Sequence, residues 1–458
     1  MPTSNALSAI FKAYDVRGIV PDQLDAAAAQ AIGAGFARFL AGATGSRRPE
    51  ILLGHDMRTT ADSLASAFTA GAVGRGAVVT SLGLASTDLV YYASGKRDAA
   101  AVMLTASHNP AQYNGMKFCL PGAKPIGEES GLADVLRYAE EEYGDASTPY
   151  ETAPTHVLDL LDEFADHVRS FIDGAALRPL VIVADTANGM GGLIAPTVFS
   201  KLPVELHVLF GELDGTFPNH PADPLQPENL RDLIAAIAKR KADVGLAFDG
   251  DADRVFLVDE LGAPIPGSTT TAIVAAAMLE RNPGATILYN CICSKTVREV
   301  IAERGGVGIR TRVGHSFIKQ VMAETGAVFG GEHSGHYYFK ENYRADSGII
   351  AALVVLEVLS RFDGPLSELR KPFERYAESG EINTTVDDQE TVLDRIEDHY
   401  AGVGAIDHLD GLTVDCGSWW FNLRPSNTEP LLRLNVEAHD RAELVRRLAE
   451  VGELMRRT

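Results

Sequence analysis

The chain has 458 residues, 46% hydrophobic and 22% charged, and its 62 Asp and Glu against 41 Lys and Arg leave a net charge of −21 at pH 7. That length accommodates about three or four domains, each able to bury a core without metal or disulfide support, which excludes disorder as a description of the whole. The acidic balance excludes an open platform for nucleic acid or anionic lipid. The four Cys form no disulfide framework, which points to a reducing cytoplasmic setting.

The N-terminal segment lacks a basic region followed by an apolar core, and the most apolar later run, 349–359, is interrupted by Glu357, so neither secretion nor membrane spanning is expected. In chain order, an extended opening gives way to a helix over 24–40, a buried strand over 50–54, a helix over 61–72 and short strands over 77–80 and 100–104. Acidic residues and then Gly, Ser, Pro and Thr around 140–155 place a domain boundary near 150. A helix over 155–172, strands over 180–184 and 204–209, a Pro-rich loop over 218–230, a helix over 230–240 and a strand over 244–248 follow. A third α/β unit reads as helices over 269–279, 296–304 and 347–361 with strands over 286–290, 308–313 and 330–339. The remainder, with strands over 411–415 and 431–436 and a helix over 440–455, predicts a smaller α+β domain. The three larger units are candidates for structural repeats, although no repeat is visible letter by letter.

Four polar loops carry residue types suited to one chemistry. Thr105-Ala-Ser-His-Asn-Pro110 follows an apolar strand, where α/β sheets present ligands, and Ser107 is its covalent-site candidate. Lys117 follows closely enough to neutralise phosphate or exchange a proton. In Asp249-Gly-Asp-Ala-Asp-Arg254, Asp249, Asp251 and Asp253 at alternating positions suit a hard divalent cation, Mg²⁺ rather than Ca²⁺, since the twelve-residue calcium-loop pattern is missing. Gly250 is expected to relax that loop's backbone. A phosphoryl oxygen on Ser107 would supply a fourth ligand, and Arg254 would neutralise nonbridging oxygens. Glu332 and Ser334 of Gly331-Glu-His-Ser-Gly-His336 can pair with vicinal sugar hydroxyls. Leu423-Arg-Pro-Ser-Asn-Thr-Glu-Pro430 offers one guanidinium, two hydroxyls and an amide to a dianionic phosphate, with Arg433 as further support. Each loop has a plainer alternative as a solvated polar turn.

Together, TASHNP, DGDADR, GEHSGH and RPSNTEP make the chain resemble the α-D-phosphohexomutase family, especially its bacterial phosphomannomutase/phosphoglucomutase branch. The resemblance implies an α/β fold of four domains around a central cleft: a phosphoserine-loop domain over 1–150, a metal-binding domain over 151–258, a sugar-recognition domain over 259–371, and a smaller α+β distal-phosphate domain over 372–458. It implies phosphorylated Ser107; Mg²⁺ on Asp249, Asp251, Asp253 and the Ser107 phosphoryl; Glu332 and Ser334 on substrate hydroxyls; and Arg424, Ser426, Asn427 and Thr428 on the distal phosphate. FKAYDVRG resembles the family's opening active-site segment and brings Tyr14 and Arg17 to the reacting centre. Lys117 and His336 become proton-transfer candidates, and Lys295 and His315 substrate contacts.

The implied reaction is reversible transfer between C1 and C6 phosphates of mannose or glucose through a hexose 1,6-bisphosphate that turns over in the cleft. The implied partners are small hexose phosphates, with no nucleic acid or membrane, for a monomer or weak dimer. Alternatives are a phosphoglucosamine mutase, a sugar-phosphate phosphatase and a non-catalytic sugar-phosphate-binding protein.

Overall fold

Alternation along the apolar strands decides how this chain packs. The computed structural model describes residues 5–144, 156–425 and 431–456, and these form four sheets in succession along the chain. In the first, Glu50–His55 lies parallel between Val78–Leu84 and Ala100–Leu104. Ile51, Leu53, Val102 and Leu104 point to one face, against the helices Ala26–Thr44, Ala61–Gly74 and Leu132–Gly144. The intervening Leu52, Ala101 and Met103 point to the other, where helix Thr87–Arg97 and the next two units meet them.

The same division recurs. Ile182 of Val181–Asp185 and Ile287 of Thr286–Asn290 join that central core, while their neighbours Val183 and Leu288 face smaller separate clusters. Period-2 alternation between two buried faces thus welds three sheets into one body with a common interior.

Each of these sheets also contains the same local device, a parallel strand followed by a loop and an antiparallel return. In the first, Ala100–Leu104 turns back as Tyr113–Leu120. In the second, Val244–Phe248 turns back as Val255–Asp259, with Phe248 opposite Val255. In the third, Phe329–Gly331 turns back as Tyr337–Phe339, with Gly331 opposite Tyr337. The three intervening loops carry Ser107, the aspartates and Glu332, so equivalent positions in three α/β units deliver the polar groups. The single strand expected over 330–339 is two short strands around a turn, because Gly335 at φ 85° breaks the extended backbone.

The fourth unit is a five-stranded antiparallel sheet in the order Ala377–Thr385, Leu431–Ala438, Trp419–Pro425, Leu412–Asp415 and Ala405–Asp407, packed on helices Gln389–Tyr400 and Arg441–Arg456 around a core of its own. The chain stays in the first sheet through His156–Val157, which pairs with Thr80 and Ser81, so the helix expected over 155–172 is confined to Leu161–Arg169. The stretch around the expected boundary, 145–155, lies outside the described residues. Helix Thr87–Arg97 and strand Tyr113–Leu120 have no counterpart in the sequence reading. Thr87 through Ser94 and Asn114 through Cys119 are buried without interruption, so neither segment shows the one-sided periodicity that marks an amphipathic element.

Candidate active site

The Ser107 loop is fixed from below. Ser107 has a left-handed backbone, φ 48°, an uncommon conformation for a residue with a Cβ, and its N–H donates to Thr105 Oγ1 at 2.8 Å. Beneath it, buried Arg58 donates to the carbonyl oxygens of Ser107 and Asn109, both at 2.8 Å, and of Pro110 and Tyr113, both at 2.9 Å, while its Nε reaches Asp56. Phe217, at the head of the Pro-rich loop, lies under the Arg58 guanidinium. Arg17, from the opening segment, joins the same loop through Asn109 Oδ1 at 2.5 Å.

The aspartate loop meets Ser107 directly. Ser107 Oγ donates to Asp249 Oδ2 at 2.7 Å, and Arg254 reaches Asp249 Oδ2 through Nε at 2.9 Å and Ser107 Oγ through Nη2 at 3.3 Å. Gly250 is required here for space rather than for backbone freedom, because a Cβ on it would lie 2.5 Å from the Ser107 carbonyl oxygen. The left-handed position in this loop is Ala252, φ 62°. Lys117 is on the returning strand, opposite Met103, and its Nζ donates to Asp251 Oδ2 at 2.8 Å and Asp253 Oδ2 at 2.7 Å. Thr87, at the start of its helix, donates Oγ1 to Asp251 Oδ2 at 2.5 Å.

The repulsion expected among three adjacent aspartates is therefore met in part by two protein cations. Burial pushes the Asp251 carboxyl up, but Lys117 and the hydrogen bonds from Lys117 and Thr87 outweigh it and hold the group well below the usual carboxylate range. Burial raises Asp249 above that range, with Arg254 opposing and the two neighbouring aspartates adding to the rise. Burial works against the charge on Lys117, yet Asp251 and Asp253 prevail and keep it protonated.

These groups fit a hard cation. One carboxylate oxygen from each of Asp249, Asp251 and Asp253 lies within 4.8 Å of the others, all three residues are buried, and Asp251 Oδ1 and Asp253 Oδ1 have no hydrogen-bond partner among the described residues. Two orphaned buried carboxylate oxygens in an all-oxygen set fit a hard divalent cation.

The loop between Phe329–Gly331 and Tyr337–Phe339 lies across from this centre. His336 Nδ1 is 3.0 Å from Ser334 Oγ, and its Nε2 is 3.8 Å from Asp253 Oδ1, so His336 spans the two loops. Glu332 is buried and held by Tyr338 Oη at 2.6 Å, Gly314 N at 3.0 Å and Asn290 Nδ2 at 3.2 Å. These three contacts aim it and leave lone-pair capacity on its oxygens. Tyr14 Oη packs against Gly314, where a Cβ would lie 2.8 Å away and the backbone takes φ 129°. Burial raises the Tyr14 phenol above its ordinary value.

The remaining expected residues are placed differently. Arg424 and Arg433 are neighbours across two strands of the fourth unit. Ser426, Asn427 and Thr428 lie outside the described residues. His315 opens helix His315–Thr325, with its side chain outside the described set. Among the described residues no hydrogen bond or ion pair joins Lys295 to the Ser107 centre; its Nζ donates to Asp415 Oδ1 at 2.7 Å and Gly417 O at 2.8 Å, tying the third unit to the fourth.

The sequence reading passed over Arg58, Thr87 and Tyr338, and gave the imidazole of His108 no role of its own. His108 is neutral, because burial first and the positive charge of Arg254 next hold its pKa well below the ordinary imidazole value. Its Nδ1 accepts from Arg254 Nη2 at 2.6 Å, so the ring proton is on Nε2. The position of Arg58 just past the end of a parallel strand was the available signal.

Comparison with known proteins agrees with this architecture. Four family models match in order: phosphoglucomutase/phosphomannomutase alpha/beta/alpha domain I at 8–142, domain II at 162–262, domain III at 266–376 and the C-terminal domain at 381–454. The chain is 38% identical over 450 residues to a protein of Xanthomonas campestris pv. campestris named for phosphohexose mutases, covering 97% of this chain and 99% of that one. It is 37% identical over 436 residues to a phosphomannomutase of Escherichia coli K12, covering 93% and 94%. The crystal structure of a phosphoglucomutase/phosphomannomutase family protein from Burkholderia thailandensis superposes with a TM-score of 0.86 at 32% identity, covering 97% of this chain and 96% of the other. Four domain matches in succession, on a body whose three α/β units share one interior, make the chain a member of the phosphoglucomutase/phosphomannomutase family of α-D-phosphohexomutases.

Proposed function

We propose that this phosphohexomutase interconverts the 1- and 6-phosphates of α-D-mannose and α-D-glucose, with Ser107 as the phosphoryl carrier and a hexose 1,6-bisphosphate as the intermediate. The observation that carries this reading is the 2.7 Å contact of Ser107 Oγ with Asp249, inside a set of three aspartates that retains two orphaned oxygens. Asp249, Asp251 and Asp253 would hold Mg²⁺, which supplies electrophilic stabilisation to a phosphoryl group on Ser107. Arg254, already directed at Ser107 Oγ, would stabilise the nonbridging oxygens of that group.

In the forward half-reaction the bond between phosphorus and Ser107 Oγ breaks, a bond from phosphorus to the sugar oxygen forms, and the sugar hydroxyl loses its proton. Lys117, a proton-transfer candidate, reaches Asp251 and Asp253 through Nζ and would also serve as a cation close to the transferred group. We assign acceptance of the hydroxyl proton to His336, whose ring lies between the aspartate loop and the sugar loop. Glu332 and Ser334 would orient the sugar hydroxyls, and Arg424 would grip the distal phosphate in either orientation of the bisphosphate. A cleft that accepts both orientations discriminates weakly between C2 epimers, which supports use of both sugars.

Incubation with α-mannose 1-phosphate, Mg²⁺ and a trace of hexose 1,6-bisphosphate tests the reading. The expected product is mannose 6-phosphate. Stoichiometric free phosphate would make the chain a phosphatase, and neither product would make it a binding protein. Ser107→Ala should lose covalent phosphate from the protein and reduce turnover by on the order of a thousandfold or more. Undiminished transfer in that variant would remove Ser107 from the mechanism.

A further inference from the structure

Arg424 on strand Trp419–Pro425 stands directly opposite Arg433 on Leu431–Ala438. Two like charges paired across antiparallel strands repel each other, and such a pair persists where an anion sits between them. Two carboxylates are present. Glu381 Oε2 lies 3.2 Å from Arg424 Nη2, and its Oε1 lies 3.7 Å from Arg433 Nη1; Asp410 Oδ2 lies 3.7 Å from Arg424 Nη1. The arginine pair is therefore neutralised by protein groups, yet the Nε atoms of Arg424 and Arg433 are both buried without a hydrogen-bond partner among the described residues.

The two carboxylates differ in how firmly they are committed. Asp410 also accepts from Val313 N at 2.9 Å and so belongs to the contact between the third and fourth units. Among the described residues Glu381 has only the arginines as side-chain partners, is partly exposed, and sits where the pairing of Ala377–Thr385 with Leu431–Ala438 shifts register beside left-handed Gly380, φ 68°. A bulge of this kind re-aims a side chain, here over the arginine pair.

We propose that Glu381 is a built-in competitor for the distal phosphate: it occupies the arginine pair when no ligand is there, is displaced when a dianionic phosphate enters, and speeds the release of that phosphate. The inference rests on the reading of Arg424 as the distal-phosphate group. Two arginines alone would grip a dianion tightly, and an intermediate that must let go, turn over and bind again would stall in such a site. A carboxylate beside both guanidiniums lowers the affinity and gives the vacated arginines an immediate partner.

Steady-state kinetics with glucose 1-phosphate, and calorimetric binding of mannose 6-phosphate, decide this in Glu381→Gln, Glu381→Asp and Arg424→Ala. Glu381→Gln keeps the shape and removes the charge. Its KM and its dissociation constant should fall about two- to fivefold, the scale of a partly exposed ion pair, and its kcat should fall as well. Glu381→Asp should restore both in part, and far-ultraviolet dichroism should match the parent in every variant.

If Arg424→Ala raises KM while Glu381→Gln leaves it unchanged or raises it, Glu381 is an ordinary ion pair and the proposal is wrong. A lower KM with unchanged kcat would overturn the release role. If Arg424→Ala itself leaves KM unchanged, the phosphate-clamp reading fails, and the proposal with it.

Discussion

Arg58 uses all five of its N–H donors, four of them on carbonyl oxygens of the Ser107 loop, and it does so while buried. A lysine there would keep the charge but has three donors on a single atom and cannot span Ser107, Asn109, Pro110 and Tyr113. Arg58→Lys should therefore lower kcat by about a hundredfold, the cost of about an ångström of misplacement, with KM for the hexose phosphate nearly unchanged because the distal contacts are in another unit. Parent-like kcat in a folded Arg58→Lys variant would show that the loop holds its own shape. The same residue marks the limit of legibility at this scale. Ser107, the three aspartates and Glu332 announce themselves by residue type and close spacing, whereas Arg58 acts through carbonyl oxygens that are adjacent only in the fold.

At the scale of the element, the first turn of helix Thr87–Arg97 is the junction of three units. Thr87 donates its N–H to the carbonyl and its hydroxyl to the carboxylate of Asp251 in the second unit, and Asp88 accepts from Ser347 Oγ of the third unit at 2.6 Å. Thr87→Val preserves shape and removes one buried hydrogen bond to a charged group, a loss of roughly 1.5–3 kcal/mol in the ordering of Asp251. Mg²⁺ affinity measured by calorimetry should weaken by at least about tenfold; equal affinity would separate Thr87 from the cation site.

Asp88 next to it is raised to about 7 by burial, against the hydrogen bonds from Ser347 and Ser86 that favour its charged form. In the unfolded chain the same carboxyl titrates near pH 4. Between those values the native protein keeps a proton that the unfolded chain has lost, so this group's contribution to stability is full below about pH 4 and declines as pH rises to about 7. Asp88→Asn removes that dependence, and its thermal midpoint relative to the parent should be more favourable near pH 8 than near pH 5. A constant difference across that range would assign Asp88 an unperturbed carboxyl. None of this was legible in sequence, because a helix buried on every face from Thr87 through Ser94 lacks the polar stripe by which a helix is read.

At the scale of the molecule, the resemblance of the four loops anticipated four units, and the α/β alternation anticipated three of them. What the letters concealed is that the first three are one body. The central core draws Met103, Phe164, Leu246, Phe329 and Leu353 from all three α/β units, while Trp419, Phe421, Leu434 and Val451 form a separate core in the fourth. The fourth unit is attached chiefly by polar contacts, among them Lys295 with Asp415 and Gly417, Glu437 with the N–H of Lys295, and Asp410 with that of Val313. Such contacts resist water and salt less well than a shared apolar interior, so the fourth unit is expected to unfold first. The chain itself supplies the probe. Its two tryptophans, Trp419 and Trp420, are both buried in that unit. Tryptophan fluorescence should therefore report a transition at lower denaturant than far-ultraviolet dichroism, which is dominated by the three α/β units, and the gap should widen with added salt. Coincident curves at every salt concentration would mean that the polar contacts couple the fourth unit to the others as strongly as the common core couples those three.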